Sequence, residues 1–197
     1  MISSIQELLG KLKRQNLVVL YGKPSRERRE IIGNMLCRLL KTFDIHIFDI
    51  SYGISPADLI GIDNKLLRNL YIYHLDLEHL TKLLIYLSCL KINKKCIFII
   101  DPFYVQGAIS ASKDFDAIYC FYALKHFLTK NRGKVKVWLI VNTTFSNIKR
   151  LTFFKYFAHD VDLFVHIYAT NSEVRLKLFK NGEKKYLVEY VMDIVNL

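Results

Sequence analysis

Residues 17–30 run Leu17-Val18-Val19-Leu20-Tyr21-Gly22-Lys23-Pro24-Ser25-Arg26-Glu27-Arg28-Arg29-Glu30. The unbroken apolar run Leu17 to Tyr21, bounded by polar residues, predicts a strand buried on both faces. After Gly22, Pro24 and Ser25, apolar residues recur at helical spacing: Ile31, Ile32, Met35, Leu36, Leu39 and Leu40. That spacing predicts a helix over Arg26 to Lys41. Strand, glycine-bearing turn and helix in this order is where α/β proteins place a phosphate loop. The loop pattern is GxxxxGK[ST]: glycines for close backbone approach, lysine for the β/γ-phosphates, a hydroxyl residue for magnesium. Gly22 holds the first position here. Glu27 replaces the second glycine, Arg28 the lysine and Arg29 the hydroxyl residue. The stretch has the frame of a phosphate loop without its chemistry. Its other reading is a polar turn before a helix.

The same alternation extends outward. Ile2 to Leu12 carries a helical stripe at Ile5, Leu8, Leu9 and Leu12. Ile45 to Ile50, Leu70 to Leu75, Cys96 to Asp101 and Val135 to Asn142 are strand-like. Ser55-Pro56 marks a helix start, with serine as cap and proline at the first position. Asp76 to Leu90 and Asp114 to Lys130 are helical. Strands alternating with helices predict a mostly parallel sheet covered on both faces. The end changes character. Val161 to Tyr168 is an apolar strand, and two alternating runs, Glu173 to Lys180 and Lys184 to Tyr190, flank Asn181-Gly182, a hairpin signal. The expected organisation is a single domain over 1–197: an N-terminal amphipathic helix (1–16), an α/β core (17–160) and antiparallel C-terminal strands (161–197).

Composition narrows the class. The chain has 197 residues, of which 52% are hydrophobic and 24% charged, which excludes a largely disordered chain. No apolar run approaches the ~20 residues of a membrane span. The N-terminus lacks a secretory apolar core, so a cytoplasmic protein is expected. Cys37, Cys89, Cys96 and Cys120 lack CxxC spacing, so no metal is expected. The net charge of +11 favours a polyanionic partner, nucleic acid first among them.

The strand CIFIIDPF closes on Asp101, the form of an acid that orients a magnesium water from a neighbouring strand tip. With LVVLYGKPSRERREIIGNMLCRLL, HIFDISYGISPADL, IFIIDPF and VWLIVNTTFS in this order, the chain resembles the RecA/RadA recombinase superfamily, nearest the archaeal RadB-like and other RadA paralogues. The resemblance covers roughly Leu17 to Val191 and lacks the N-terminal DNA-binding domain of full recombinases. It implies a RecA-like core. It also implies that the family's catalytic glutamate falls at Ser51 or Tyr52 and its sensing glutamine at Thr143. With lysine, hydroxyl, base and sensor replaced together, the resemblance implies a pseudo-ATPase paralogue needing no cofactor, with Gly22, Arg28, Arg29 and Asp101 as a vestigial nucleotide site. Arg28 or Arg29 is expected to reach Asp101 or Asp49 and fill the vacated space; the alternative leaves both in solvent.

In the family two loops line DNA. Here they correspond to Tyr104 to Asp114, with Lys113, and Thr143 to His159, with Lys149, Arg150 and Lys155 among Phe145, Phe153, Phe154, Tyr156 and Phe157. Cations interleaved with rings suit single strands, but the phenylalanines equally fit a packed amphipathic helix. A further basic stretch holds Lys125, Lys130, Arg132, Lys134 and Lys136, and Arg175, Lys177, Lys180, Lys184 and Lys185 decorate the hairpin as one exposed basic face. His46, His74, His79, His126, His159 and His166 are scattered and form no recognisable catalytic set. The expectation is a DNA-binding accessory factor in homologous recombination and repair, partnered by DNA and by a recombinase or paralogue protein. Two alternatives stand beside it. One is a protein-interaction subunit docking through the N-terminal helix and terminal strands. The other is a weak ATPase with a non-standard phosphate loop.

Overall fold

A computed structural model describes residues 2–51, 63–105, 111–144, 156, 158–170, 173–180 and 186–193. The elements are α1 (Ile2–Leu12), β1 (Leu17–Gly22), α2 (Arg26–Leu39), β2 (Asp44–Asp49), α3 (Asn64–Leu67), β3 (Leu70–His74), α4 (Leu77–Ser88), β4 (Cys96–Val105), α5 (Ala111–Lys130), β5 (Val135–Asn142), β6 (Leu163–Ala169), β7 (Glu173–Lys180) and β8 (Val188–Asp193). The eight strands form one sheet in the order β3-β2-β4-β5-β1-β6-β7-β8. The first six run parallel, and β7 and β8 add antiparallel. The mostly parallel sheet with an antiparallel end is the architecture that the periodicities predict.

Two apolar layers cover the sheet. On one face Leu80 and Leu84 of α4 and Phe121, Leu124 and Phe127 of α5 pack on Phe48, Phe98 and Leu139. On the other, Leu8, Leu9 and Leu12 of α1 and Ile31, Met35 and Leu39 of α2 pack on Val18, Ile97 and Trp138. β1 is buried along its whole length because it lies between β5 and β6 with helices above and below. Leu8, Leu9 and Leu12 of the α1 stripe are covered by the sheet of the same chain. α1 is also tied to the antiparallel end: the Tyr190 hydroxyl donates to Glu7 at 3.0 Å, and Lys11 lies 5.4 Å from the centre of the Tyr190 ring.

Some boundaries differ from the sequence reading. β4 does not stop at Asp101. It continues to Val105 through a cis Asp101-Pro102 bond, and its register on β5 shifts between Ile100 and Tyr104. Proline usually ends a strand, which hides this continuation from the sequence. α5 begins at Ala111, so Lys113 stands in the first turn of a helix rather than in a loop. The Ser55-Pro56 start, the Asn181-Gly182 turn, Lys184, Lys185 and the segment bearing Lys149, Arg150 and Lys155 lie outside the described residues.

Arg175 and Lys177 of the hairpin are partnered rather than free. Arg175 pairs with Glu173 at 2.8 Å and Glu189 at 3.6 Å. Lys177 lies 3.7 Å from Glu189 and 5.3 Å from the ring centres of Tyr168 and Tyr186. Lys180 is exposed. Beside Lys177, His166 of β6 stacks on Tyr21 at 4.8 Å and Tyr168 at 5.0 Å. Burial, with a smaller push from Lys177, lowers its pKa to about 4. The group is neutral in the fold but protonates in the unfolded chain near pH 6.5. Stability is therefore full above about pH 6.5 and falls as pH drops toward 4. After allowance for partial exposure the loss is about 2 kcal/mol. Urea unfolding of His166→Phe should lack that share of the acid loss; an unchanged pH profile would refute the assignment.

Candidate functional site

In parallel α/β sheets, ligands bind beyond the carboxyl ends of the strands, where consecutive connections diverge to opposite sides. Here the chain leaves β1 toward β2 on one side and leaves β5 toward β6 on the other. The C-terminal tips of β1, β5, β4 and β2 therefore meet at the switch point, bringing Gly22, Asn142, Asp101 and Asp49 into one row. Gly22 is in register with Asn142, and Asp49 with Asp101.

The turn from β1 to α2 is only Lys23, Pro24 and Ser25. Ser25 caps α2: its hydroxyl accepts from the Arg28 N–H at 3.2 Å and its carbonyl from the Arg29 N–H at 3.3 Å. Proline and serine in this order give a short, stiff entry to the helix. Free N–H groups at a helix start attract anions. Glu27 supplies one from within: its own backbone N–H and the Ser25 hydroxyl hold its carboxyl below the ordinary glutamate value.

Arg28 is 5% exposed, among the few buried charged residues of the chain. Its guanidinium donates to the Gly22 carbonyl at 2.9 Å and to the Asn142 side-chain oxygen, bridging the tips of β1 and β5. The Gly22 carbonyl also accepts from the Thr143 N–H at 3.0 Å. Burial pulls the Arg28 pKa down and nearby Asp101 pushes it back up; arginine nonetheless stays cationic at any ordinary pH. Its Nε has no hydrogen-bond partner.

Asp101 stands on the irregular stretch of β4. Burial raises its pKa, Arg28 opposes that rise, the Asp49 carboxylate adds to it, and Arg29 opposes it more weakly. The ion pair expected from Arg28 or Arg29 to Asp101 or Asp49 is not among the contacts of the described residues. Arg28 bonds to Gly22 and Asn142, and reaches Asp101 as a charge rather than through a direct bond. Asp49, 1% exposed, is held by the Ser51 N–H and hydroxyl at 3.2 and 3.1 Å and contacts His74 Nδ1 at 3.2 Å. Arg29 is exposed and, with Pro24, Ser25, Arg26 and Glu30, lines a shallow open cleft beside the turn.

Gly22 has a positive φ of 149°. A Cβ there would sit 2.0 Å from the Ile167 carbonyl oxygen of β6. Close backbone packing thus requires glycine at this position with or without a phosphate.

The structure brings Gly22, Arg28 and Asp101 together. Lys130, Arg132 and Lys134 are exposed at the opposite, N-terminal edge of the sheet. Asn142 and His74 also stand at the site without a role expected from the sequence, whereas Asp49 is one of the two acids expected to meet an arginine there. Each simply ends a strand in a polar residue, and only the strand order makes them neighbours. Among the described residues, no group of three or more His, Cys, Asp or Glu is placed to hold a metal ion.

The sheet order and helix placement define the chain as an α/β domain of RecA-like ATPase fold, a fold shared with solved helicase domains. One solved ATPase domain superposes with a TM-score of 0.61 at 12% identity, over 93% of this chain and 82% of that one. A DnaB-like replicative helicase, described with its interactions with primase, superposes with a TM-score of 0.59 at 10% identity, over 93% of this chain. The chain spans 57% of that helicase's length. Such identities show a common fold alone. No family model matches the sequence, and no curated protein matches it.

Proposed function

We propose that this chain is a RecA-like domain that does not hydrolyse ATP and acts by binding, as a DNA-associated accessory factor of recombination or repair. The observation that supports this most is Arg28. At the position of the phosphate-loop lysine it is buried, spans β1 and β5, and sets a fixed cation close enough to Asp101 to favour that residue's charged form. Glu27 sets a carboxylate on its own N–H at the helix start, and Arg29 offers no oxygen to magnesium. The residues present do not fit a magnesium nucleotide. The surplus positive charge of the chain favours a polyanion instead.

Titration calorimetry with magnesium-ATP is expected to show no saturable heat, and phosphate release with added DNA should equal the buffer blank. Saturable binding without turnover would favour a nucleotide-sensing domain with a non-standard loop, and DNA-stimulated turnover would overturn the proposal.

A second reading, a subunit that works through a protein partner, is favoured by exposed Ile85 and Tyr86 on α4 and Tyr119 and Tyr122 on the adjoining α5. Large exposed rings on neighbouring helices are a common feature of protein contact surfaces. The DnaB-like neighbour is described with a protein partner of its own, primase. Among the described residues no helix is long and apolar enough to cross a membrane.

A further inference from the structure

The chain enters four adjacent parallel strands, β2, β4, β5 and β1, along the edge of the sheet opposite the Arg28 site. The two central connections carry Lys91, Lys94 and Lys95 before β4, and Arg132 and Lys134 before β5, next to Lys130 at the end of α5. All six are exposed. The outer connections continue the same sign, with Lys41 before β2 and Arg14 before β1. None of the four connections contains an acid. Two acids stand beside these connections: Asp44 at the start of β2 pairs with Lys94 at 3.2 Å, and Asp162 before β6 accepts from the Asn16 N–H at 2.7 Å.

These loops are tied to one another. Asn131, 5% exposed, accepts from the Ile92 N–H at 3.2 Å through its side-chain oxygen and donates through its amide nitrogen to the Phe127 carbonyl at 3.2 Å. A single buried amide thus clamps the β4 entry to the β5 entry. The backbone ladder runs on into the connections: Asp44 N–H to the Lys95 carbonyl at 3.2 Å, Cys96 N–H to the Lys134 carbonyl at 3.0 Å, and Val137 N–H to the Asn16 carbonyl at 2.7 Å. Gly133, at φ 80°, allows the tight turn between Arg132 and Lys134. The cations therefore stand on a stiff row, which lowers the entropy lost when a partner binds.

We infer that this N-terminal edge is a docking surface for a nucleic acid backbone, read through its phosphates without base contacts. The inference rests on the reading above that the chain binds nucleic acid, and it names where. Charge complementarity carries it: a row of exposed cations, of which only Lys94 has an ion-pair partner among the described residues, suits a polyanion, and a repeating one suits a row this long. Three inter-strand spacings make the edge about 15 Å long. One strand of duplex presents a phosphate every ~3.4 Å, so the edge faces about four of them. A protein neutralising about four phosphates should show a log–log salt slope of roughly −3 to −4 on duplex. The surface is separate from the Arg28 site and from the loops that line DNA in the recombinase resemblance, which follow the opposite ends of the strands.

The test is fluorescence anisotropy of a short labelled duplex and a labelled single strand across a salt series. It uses the full chain and two variants, one with Lys91→Gln, Lys94→Gln and Lys95→Gln, the other with Arg132→Gln and Lys134→Gln. A control carries Lys82→Gln and Lys177→Gln, cations already partnered elsewhere. Each edge variant should weaken binding about tenfold and flatten the slope by about one to two, with the control unchanged. The two variants alter separate loops and their folding is checked by thermal melting, so loss of one leaves the other decisive. If the wild-type chain binds and both edge variants bind equally well, the surface is wrong and nucleic acid binding stands. If the wild-type chain binds neither probe at low salt, the nucleic acid reading falls and this surface with it. Binding to phosphatidylserine vesicles without binding to either oligonucleotide would overturn both in favour of a membrane.

Discussion

Gly22→Ala should remove about 3–5 kcal/mol of stability, most of the margin of an ordinary domain. The methyl group would meet the Ile167 carbonyl oxygen at 2.0 Å and its carbon at 3.2 Å. Both atoms belong to the backbone of a strand hydrogen-bonded to β1 as far as Tyr21 and His166, so neither side can yield as a flexible side chain would. The φ of 149° adds strain for any residue with a Cβ. At roughly 2–4 °C per kcal/mol for a chain of this size, the melting temperature should drop by about 10 °C. The experiment separates two reasons for the same glycine. Were Gly22 kept for a phosphate to approach its backbone, alanine would impair nucleotide binding and leave the unliganded protein nearly as stable as before. A variant that melts within about 2 °C of wild type, by scanning calorimetry without nucleotide, would refute the packing account.

That glycine shows how far the sequence carries. The LVVLY run, the 3.6-residue spacing of Ile31, Met35 and Leu39, and the alternation of Val174, Leu176 and Leu178 each report a local burial pattern, and the fold class follows from them without tertiary information. Gly22 and Asp101 are visible because a strand tip in glycine or aspartate stands out against an apolar run. The partner of Arg28 is not. Asn142 lies more than a hundred residues away and ends an ordinary strand; it meets Arg28 only because β5 inserts between β4 and β1. Strand order is a global property that no window of sequence contains. The same limit applies to charge. Arg175 and Lys177 look like part of a free basic face until Glu173 and Glu189 are found beside them. Arg132 and Lys134, one basic stretch in the sequence, meet Lys94 and Lys95 of another loop only because the parallel sheet lines both loops along one edge. The continuation of β4 past Pro102 escapes for a different reason. Local propensity argues against it, and pairing with β5 on one side overrides that propensity.

Arg28→Met should cost about 3–5 kcal/mol at neutral pH, because it removes a buried cation and leaves its partners behind. Methionine keeps most of the apolar stem, so the loss is chiefly electrostatic. The Gly22 carbonyl retains the Thr143 N–H, whereas the Asn142 oxygen loses the guanidinium. Asp101 loses the largest influence favouring its charged form, while burial and the Asp49 carboxylate continue to oppose ionisation. The pH dependence follows from the sign of that shift. A carboxyl whose folded pKa lies above its unfolded value contributes stability that is fully present below the unfolded value, near 3.9, and lost as pH rises through the folded pKa. Removing Arg28 raises the folded pKa of Asp101 further, so more stability is lost on the way to neutrality. The variant should therefore stand closer to wild type at pH 4 than at pH 7 in urea unfolding. Asp101→Asn in the Arg28→Met background should recover part of the loss, with a coupling of about 1–3 kcal/mol in the double-mutant cycle. A solvated arginine would behave otherwise: its removal would cost within about 0.5 kcal/mol, equally at both pH values and without coupling to Asp101. That outcome would also remove the chief support for a closed nucleotide site, since an arginine that contributes nothing to the fold is not a fixed cation of the site.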